Sequence, residues 1–306
     1  VLLIRKRDWE STFRLWSKPS SDTEQEKCEN AERMIREALD ESEALAGRTI
    51  EVIPQGSYRN NTNVRLDSDV DVCVRCMDPF FPNYSMASGV SAESLGNVPS
   101  EYTYAQFKNE VEAALVAKFG RKGVSRGKKA FDVHANSYRV DADVVATFEH
   151  RRYTHQDEYG GWNYISGTEF MPDDGGRVVN WPHQHHRNGV GKNRLTGNRF
   201  KYLTRVLKRL RNEMHENEIA AAAPIPSYLI ECLVWNVPND NFGHEEYVRD
   251  MRHILAHTYN ATLTSDSCKE WGEVSELKYL FRSSQPWTRE QAHAFLDAAW
   301  NYIGLD

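Results

Sequence analysis

Asp69 and Asp71 stand two residues apart in the β-branched run Val70-Asp71-Val72-Cys73-Val74, about a dozen residues after a Gly56-Ser57 turn. Strand periodicity puts both carboxylates on one face and the valines on the other. Neighbouring acids repel and raise each other's pKa, so a fold that keeps them side by side usually places a cation between them. Oxygen ligands of this kind suit Mg²⁺, which retains waters and shares its shell with substrate phosphates. The Gly-Ser turn can offer those phosphates backbone N–H groups and a hydroxyl. Taken alone, the same residues describe an edge strand with a solvated acidic face after an ordinary turn; a third acid downstream favours the metal reading. That acid is Asp143, which heads the apolar run Val144-Val145-Ala146. Asp141 on the same face and Asp132 on a neighbouring strand are its rivals, with Arg139 or Lys129 as their structural partners.

These acids need elements to position them. Trp9, Phe13 and Trp16 share one side of a short helix, and Ser21 with Glu24 forms a capping box opening a longer one. Cys28, Ala31, Met34, Ile35, Ala38 and Leu39 give that helix an apolar stripe. A strand over residues 49–53 delivers the Gly-Ser turn, and the Pro-, Ser- and Gly-rich residues 78–100 read as a loop or lid insertion. An amphipathic helix over 104–119 stops at Gly120. Strand-like runs follow at 130–134 and 138–148, then a hairpin from 164–170 to 177–181. His183, His185 and His186 fall in a polar stretch without cysteines, read as a solvated loop rather than a metal site. In the helix over about 193–215, Leu203, Val206, Leu207, Leu210 and Met214 form an apolar face, with Lys201, Arg205 and Lys208 opposite. Such a basic face is either solvated or a clamp for polyphosphate. Helical patterns at 226–237, 244–259 and 288–303 read as core packing.

At 306 residues, 40% hydrophobic and 27% charged, the chain can bury one large core or two modest domains. No apolar run reaches the length of a transmembrane helix, and residues 1–7 are too short for a signal peptide. Five cysteines without a disulfide layout point to a reducing cytoplasm, and Cys73-Val74-Arg75-Cys76 has no second pair for zinc. A net charge of −6 does not advertise nucleic-acid binding, so phosphate must meet a local basic patch. There is no internal repeat and no clean linker.

The Gly56-Ser57-Tyr58 turn followed by Ser68-Asp69-Val70-Asp71-Val72 resembles the nucleotidyltransferase motif of the polymerase-β superfamily. More narrowly, residues 54–64, the Pro19-Ser20-Ser21-Asp22-Thr23-Glu24-Gln25 stretch, Val179-Asn180-Trp181-Pro182 and Ser227-Tyr228-Leu229-Ile230-Glu231-Cys232 resemble the bacterial cGAS/DncV-like nucleotidyltransferases (CD-NTases). The resemblance spans most of the chain. It implies an α+β polymerase-β-like core with a mixed sheet, residues 1–185 including the N-terminal helices. A C-terminal helical bundle, residues 186–306, would close on it, with the site in the cleft between.

The implied activity joins nucleoside triphosphates, ATP and in pyrimidine-using clades UTP, into a cyclic dinucleotide signal for anti-phage defence in a bacterial cytoplasm. Pyrophosphate leaves, and two Mg²⁺ ions, replaceable by Mn²⁺, assist. The resemblance makes Asp69 and Asp71 ligands of both metals and Asp143 the ligand nearer the attacking hydroxyl. It makes Gly56, Ser57, Lys208 and Ser227 triphosphate contacts, with Lys201 and Arg205 weaker candidates, and stacks Tyr228 on a base. The usual proline after the third acid is Ala146 here. The Asn-rich residues 59–63 lean to the CdnE clade. An amide that reads uracil needs a donor and an acceptor, and Asn163, placed between the third acid and the hairpin, is the candidate; otherwise it completes a turn beside Gly160-Gly161-Trp162. A downstream cyclic-nucleotide receptor is implied. The net charge gives no support to a nucleic-acid activator and leaves a local groove open. Linear oligonucleotide synthesis, protein nucleotidylation and a catalytically silent nucleotide-binding regulator stay as alternatives.

Overall fold

The computed structural model describes residues 7–64 and 69–305. In chain order the elements are α1 (Trp9–Trp16), α2 (Asp22–Asp40), β1 (Ile50–Gln55), α3 (Gly56–Arg59), β2 (Val70–Asn83), α4 (Tyr104–Phe119), β3 (Val124–Arg126), β4 (Phe131–Val133), β5 (Ala142–Gln156), β6 (Trp162–Phe170), β7 (Val178–Asn180), α5 (Pro182–Leu195), α6 (Arg199–Glu216), α7 (Ser227–Trp235), α8 (Tyr247–Thr262) and α9 (Arg289–Ile303). They form two compact units. One comprises Ser21–Arg59 and Leu66–His183; the other comprises Val1–Ser20, Asn60–Arg65 and Gln184–Asp306.

The first unit is an α+β layer around a mixed sheet of order β1-β2-β5-β4-β3, with β6 on β5 and β7 on β6. β2 and β5 run parallel; the other pairs are antiparallel. Val70, Val72 and Val74 are wholly buried, as are Val144 and Phe131 on the neighbouring strands. They pack against Ile35 and Leu39 of α2 and Phe107, Val111 and Leu115 of α4. Period-2 alternation therefore leaves Asp71, Cys73 and Arg75 on the opposite face of β2.

The expected loop over 78–100 begins later than its composition suggests, because β2 continues to Asn83. Beyond Cys76, β2 loses β1 as a neighbour and pairs only with β5, after a register shift between Cys76 and Phe80. Pro79 and Pro82 are tolerated there, because an edge leaves backbone N–H positions with no ladder partner to lose.

The second unit is helical. Its core gathers Leu203, Val206 and Leu207 of α6, Leu229 and Leu233 of α7, Ile254 of α8 and Phe295 of α9. Phe13 of α1 is wholly buried in the same core, flanked by Trp9 and Trp16. The aromatic stripe thus seats α1 with the helical bundle rather than with the sheet unit, where the sequence reading placed it. The helix expected over 193–215 is two helices, because Gly197 and Asn198 take the left-handed conformation (φ +57° and +70°) between α5 and α6. His183, His185 and His186 lie on α5, not in a loop. Among the described residues no helix is long and apolar enough to cross a membrane.

Candidate functional site

Strand pairing brings together acids that are distant in sequence. Asp71 lies opposite Asp143 in the parallel β2–β5 pair, and Asp143 lies opposite Asp132 in the antiparallel β5–β4 pair. Gln55 flanks Asp71 on β1, and Ser125 flanks Asp132 on β3. Laterally paired residues share a face, so the three carboxylates form one row across the sheet. Burial, then Asp143 and Asp69, pushes the Asp71 carboxyl up to about 6. Burial, then Asp132 and Asp69, pushes Asp143 up to about 6 as well. Asp69, exposed at the mouth of β2, is thus close enough to act on both. Ser68, which opens the motif, lies outside the described residues.

Of the rivals for the third acid, Asp141 is engaged by the backbone: its Oδ1 accepts from the Ala135 N–H at 2.5 Å. Asp132 joins the row. The Arg139 guanidinium donates instead to the His134 carbonyl at 2.8 Å and lies over Phe119. Nothing in the sequence pairs residue 132 with 143; that neighbourhood is a product of strand register.

The Gly-Ser turn is built around Asp71. Gly56 has φ +67°, and a Cβ there would stand 1.8 Å from Asp71 Oδ2 and 2.7 Å from its Cγ. Only glycine lets the turn lie against that carboxylate. Ser57 follows in α3, half-buried, with no partner for its hydroxyl among the described residues.

In the helical unit the basic stripe of α6 divides in a way its spacing did not indicate. Lys208, expected as the triphosphate lysine, is wholly buried, with its ammonium 2.8 Å from Glu231 and 3.0 Å from the Thr62 hydroxyl. Glu231 also meets His185 Nε2 at 2.9 Å and accepts from Thr62 at 2.7 Å. Burial pushes that carboxyl up, but Lys208 and His185 together hold it well below the carboxylate range. Arg205 is buried as well, donating to the Ser17 carbonyl at 2.8 Å and to the Asn61 carbonyl. Burial pulls its pKa down to about 10. α6 therefore has no solvated basic face at these positions, since the strap around Asn61 and Thr62 covers it. Lys201 differs: half-buried, its ammonium has no hydrogen-bond or ion-pair partner among the described residues. Its pKa is lowered, by burial first.

Ser227 heads α7, its hydroxyl accepting from Arg211 at 2.6 Å. Tyr228 donates its hydroxyl to Glu273 at 2.9 Å while 36% of the residue stays exposed. Asn163 is brought to none of these groups. It sits exposed on β6 between Tyr164, paired with Tyr153, and Trp162, paired with Gln156. Tyr153 is ten residues along β5 from Asp143, roughly 30 Å at about 3.3 Å per residue. Asn163 thus stands apart from the acid row, beside the Gly160-Gly161 turn. The histidines of α5 do not converge on a metal: His183 meets Glu51 at 3.1 Å, His185 meets Glu231, and His186 meets Asn60 at 3.3 Å.

Residues 187–304 match the model of the cGAS/DncV-like nucleotidyltransferase C-terminal helical domain. The chain is 51% identical to a cyclic dipyrimidine nucleotide synthase, CdnE, of Legionella pneumophila, over 97% of this chain and 98% of the relative. It is 44% identical to the same kind of synthase from Cecembia lonarensis, over 94% and 96%. Among solved structures, the Rhodothermus marinus CdnE c-UMP-AMP synthase with Apcpp and Upnpp superposes with a TM-score of 0.84, at 31% identity and 97% coverage of both chains. With relatives this similar over nearly its whole length, the chain belongs to the cGAS/DncV-like nucleotidyltransferase (CD-NTase) family.

Proposed function

We propose that this protein joins two nucleoside triphosphates into a cyclic dinucleotide, releasing pyrophosphate twice, as a signal in anti-phage defence. The observation that carries the reading is the row Asp71–Asp143–Asp132, with the Gly56 backbone packed on the first carboxylate. In each transfer a ribose hydroxyl oxygen forms a bond to an α-phosphorus, the α–β phosphoanhydride bond breaks, and the hydroxyl proton passes to a carboxylate or solvent. A second transfer within the linear product closes the ring. Names of relatives favour a pyrimidine in the product.

The family is generally metal-dependent, and the acids here fit a hard divalent cation. Burial raises both carboxyls first, and neighbouring acids add to it, Asp143 and Asp69 at Asp71 and Asp132 and Asp69 at Asp143, a repulsion that a cation relieves. Among the described residues no three histidine, cysteine or carboxylate groups close a metal shell by themselves. A Mg²⁺ held by Asp69, Asp71 and Asp143 would complete its shell with water and phosphate oxygens. When bound, two such ions would supply Lewis-acid stabilisation of the transferring phosphoryl group. The chain's own contribution is to hold the carboxylates in register and offer Ser57, and Lys201 in preference to Lys208, to the triphosphate. Ser227 and Tyr228 are proposed to hold phosphate and base. Incubation with all four NTPs and Mg²⁺, followed by mass spectrometry, tests the reading. A phosphatase-resistant cyclic species that disappears in the Asp69→Ala/Asp71→Ala variant is expected; linear ladders, labelled protein or no pyrophosphate would each overturn it.

A further inference from the structure

Three successive residues of the chain that leaves the Gly56–Arg59 turn are gripped by buried or half-buried side chains. Asn60 Oδ1 lies 3.3 Å from His186 Nδ1 on α5. The Asn61 carbonyl accepts from Arg205 on α6, whose Nε donates to Ser17 at the end of α1 at 2.8 Å. The Thr62 hydroxyl accepts from Lys208 at 3.0 Å and donates to Glu231 on α7 at 2.7 Å. Asn60, Thr62 and Asn63 are themselves buried, and Asn61 takes the left-handed conformation at φ +52°. Arg205 and Lys208 are each about 1% exposed. So much buried charge is costly unless every polar atom is met, and here much of it is met by one short strap.

The geometry points to Arg205, Lys208 and Glu231 as positioning residues that lock the strap Asn60–Thr62, and through it the covalently preceding Gly-Ser turn, rather than as groups that touch nucleotide. This rests on the nucleotidyltransferase reading for its kinetic consequence but not for its structural one. The strap follows the Gly56–Arg59 turn with no residue between them, so its play becomes play in the turn. A turn that wanders by about an ångström still binds triphosphate but misaligns the transfer, which costs on the order of 10- to 100-fold in rate.

Two arms test it on the full-length protein. In hydrogen–deuterium exchange, Thr62→Val is expected to speed exchange in peptides covering residues 60–64 while α6 and α7 keep their protection. Unchanged strap exchange overturns the lock whether or not the enzyme has the proposed activity. In steady-state pyrophosphate release, Thr62→Val is expected to lose roughly 10-fold or more in kcat with KM for NTP nearly unchanged. Thr62→Ser, which keeps the hydroxyl, restores kcat. Arg205→Lys, which cannot span the Ser17 and Asn61 carbonyls together, should show the Thr62→Val pattern. A KM rise with unchanged kcat would instead make these residues substrate contacts, and wild-type kcat in both folded variants would refute positioning. A wild type that releases no pyrophosphate refutes the functional reading alone, and leaves the exchange arm to decide the lock.

Discussion

Replacing Gly56 with alanine puts a methyl group where the Asp71 carboxylate already is. The new Cβ would stand 1.8 Å from Oδ2, 2.7 Å from Cγ and 3.1 Å from Cβ of Asp71. Rotating the carboxylate away relieves the first contact at the cost of its place in the acid row, and leaves the Asp71 Cβ at a tight 3.1 Å. If the carboxylate stays, reaching even a tight 3 Å contact from 1.8 Å requires the turn and β2 to part by about 1 Å. Gly56 also holds φ +67°, which costs a non-glycine residue about 1–2 kcal/mol. Adding a typical overpacking cost of about 1–3 kcal/mol, Gly56→Ala should lose about 2–5 kcal/mol of stability. The displaced carboxylate should cost kcat on the order of 100-fold, by the sensitivity of transfer to misplacement. The assay pairs thermal melting with pyrophosphate release at saturating NTP. A variant with wild-type Tm and turnover within about threefold of wild type would refute the idea that Asp71 and the turn share this space.

Other expectations follow from the same geometry. Because Asp71 and Asp143 are raised from 3.8 to about 6, the metal-free fold binds more protons than the unfolded chain between those values. Their contribution to stability is therefore full below pH ~4 and lost as pH rises through ~6. Melting scans in chelator should show this loss, and Asp71→Asn should flatten it. Lys208→Ala should destabilise by about 3–5 kcal/mol, since it leaves Glu231 charged, buried and short of a partner. Lys201→Ala should leave Tm nearly unchanged and weaken NTP binding by about 1.5–3 kcal/mol. Nucleotide titration with melting curves separates the two, and the opposite pattern would restore Lys208 to the substrate. Asn163→Ser should leave the product spectrum from an equimolar NTP mix unchanged, because that side chain sits exposed at the start of β6, beside the far end of β5 from Asp143; a shift towards purines would contradict this.

Local periodicity was enough to determine much of this protein. Alternation in Val70-Asp71-Val72 announced which face carries the acids, since successive side chains of a strand point to opposite sides whatever packs on them. Helix stops such as Gly120 were legible for the same local reason: the stop residue of α4 has φ +77°. Motif spacing pointed to nucleotide transfer. Pairing across strands was not legible, because register depends on groups far apart in sequence. Asp132 therefore became a member of the row only once β4 lay against β5, and Asn163 was carried away from it by the length of β5. The cations of α6 show the limit most clearly. Spacing placed Lys201, Arg205 and Lys208 on one stripe, but only the tertiary structure could reveal that the strap, α1 and Glu231 cover two of them. Burial is a property of what lies opposite a residue, and a helix's own sequence does not contain its neighbour.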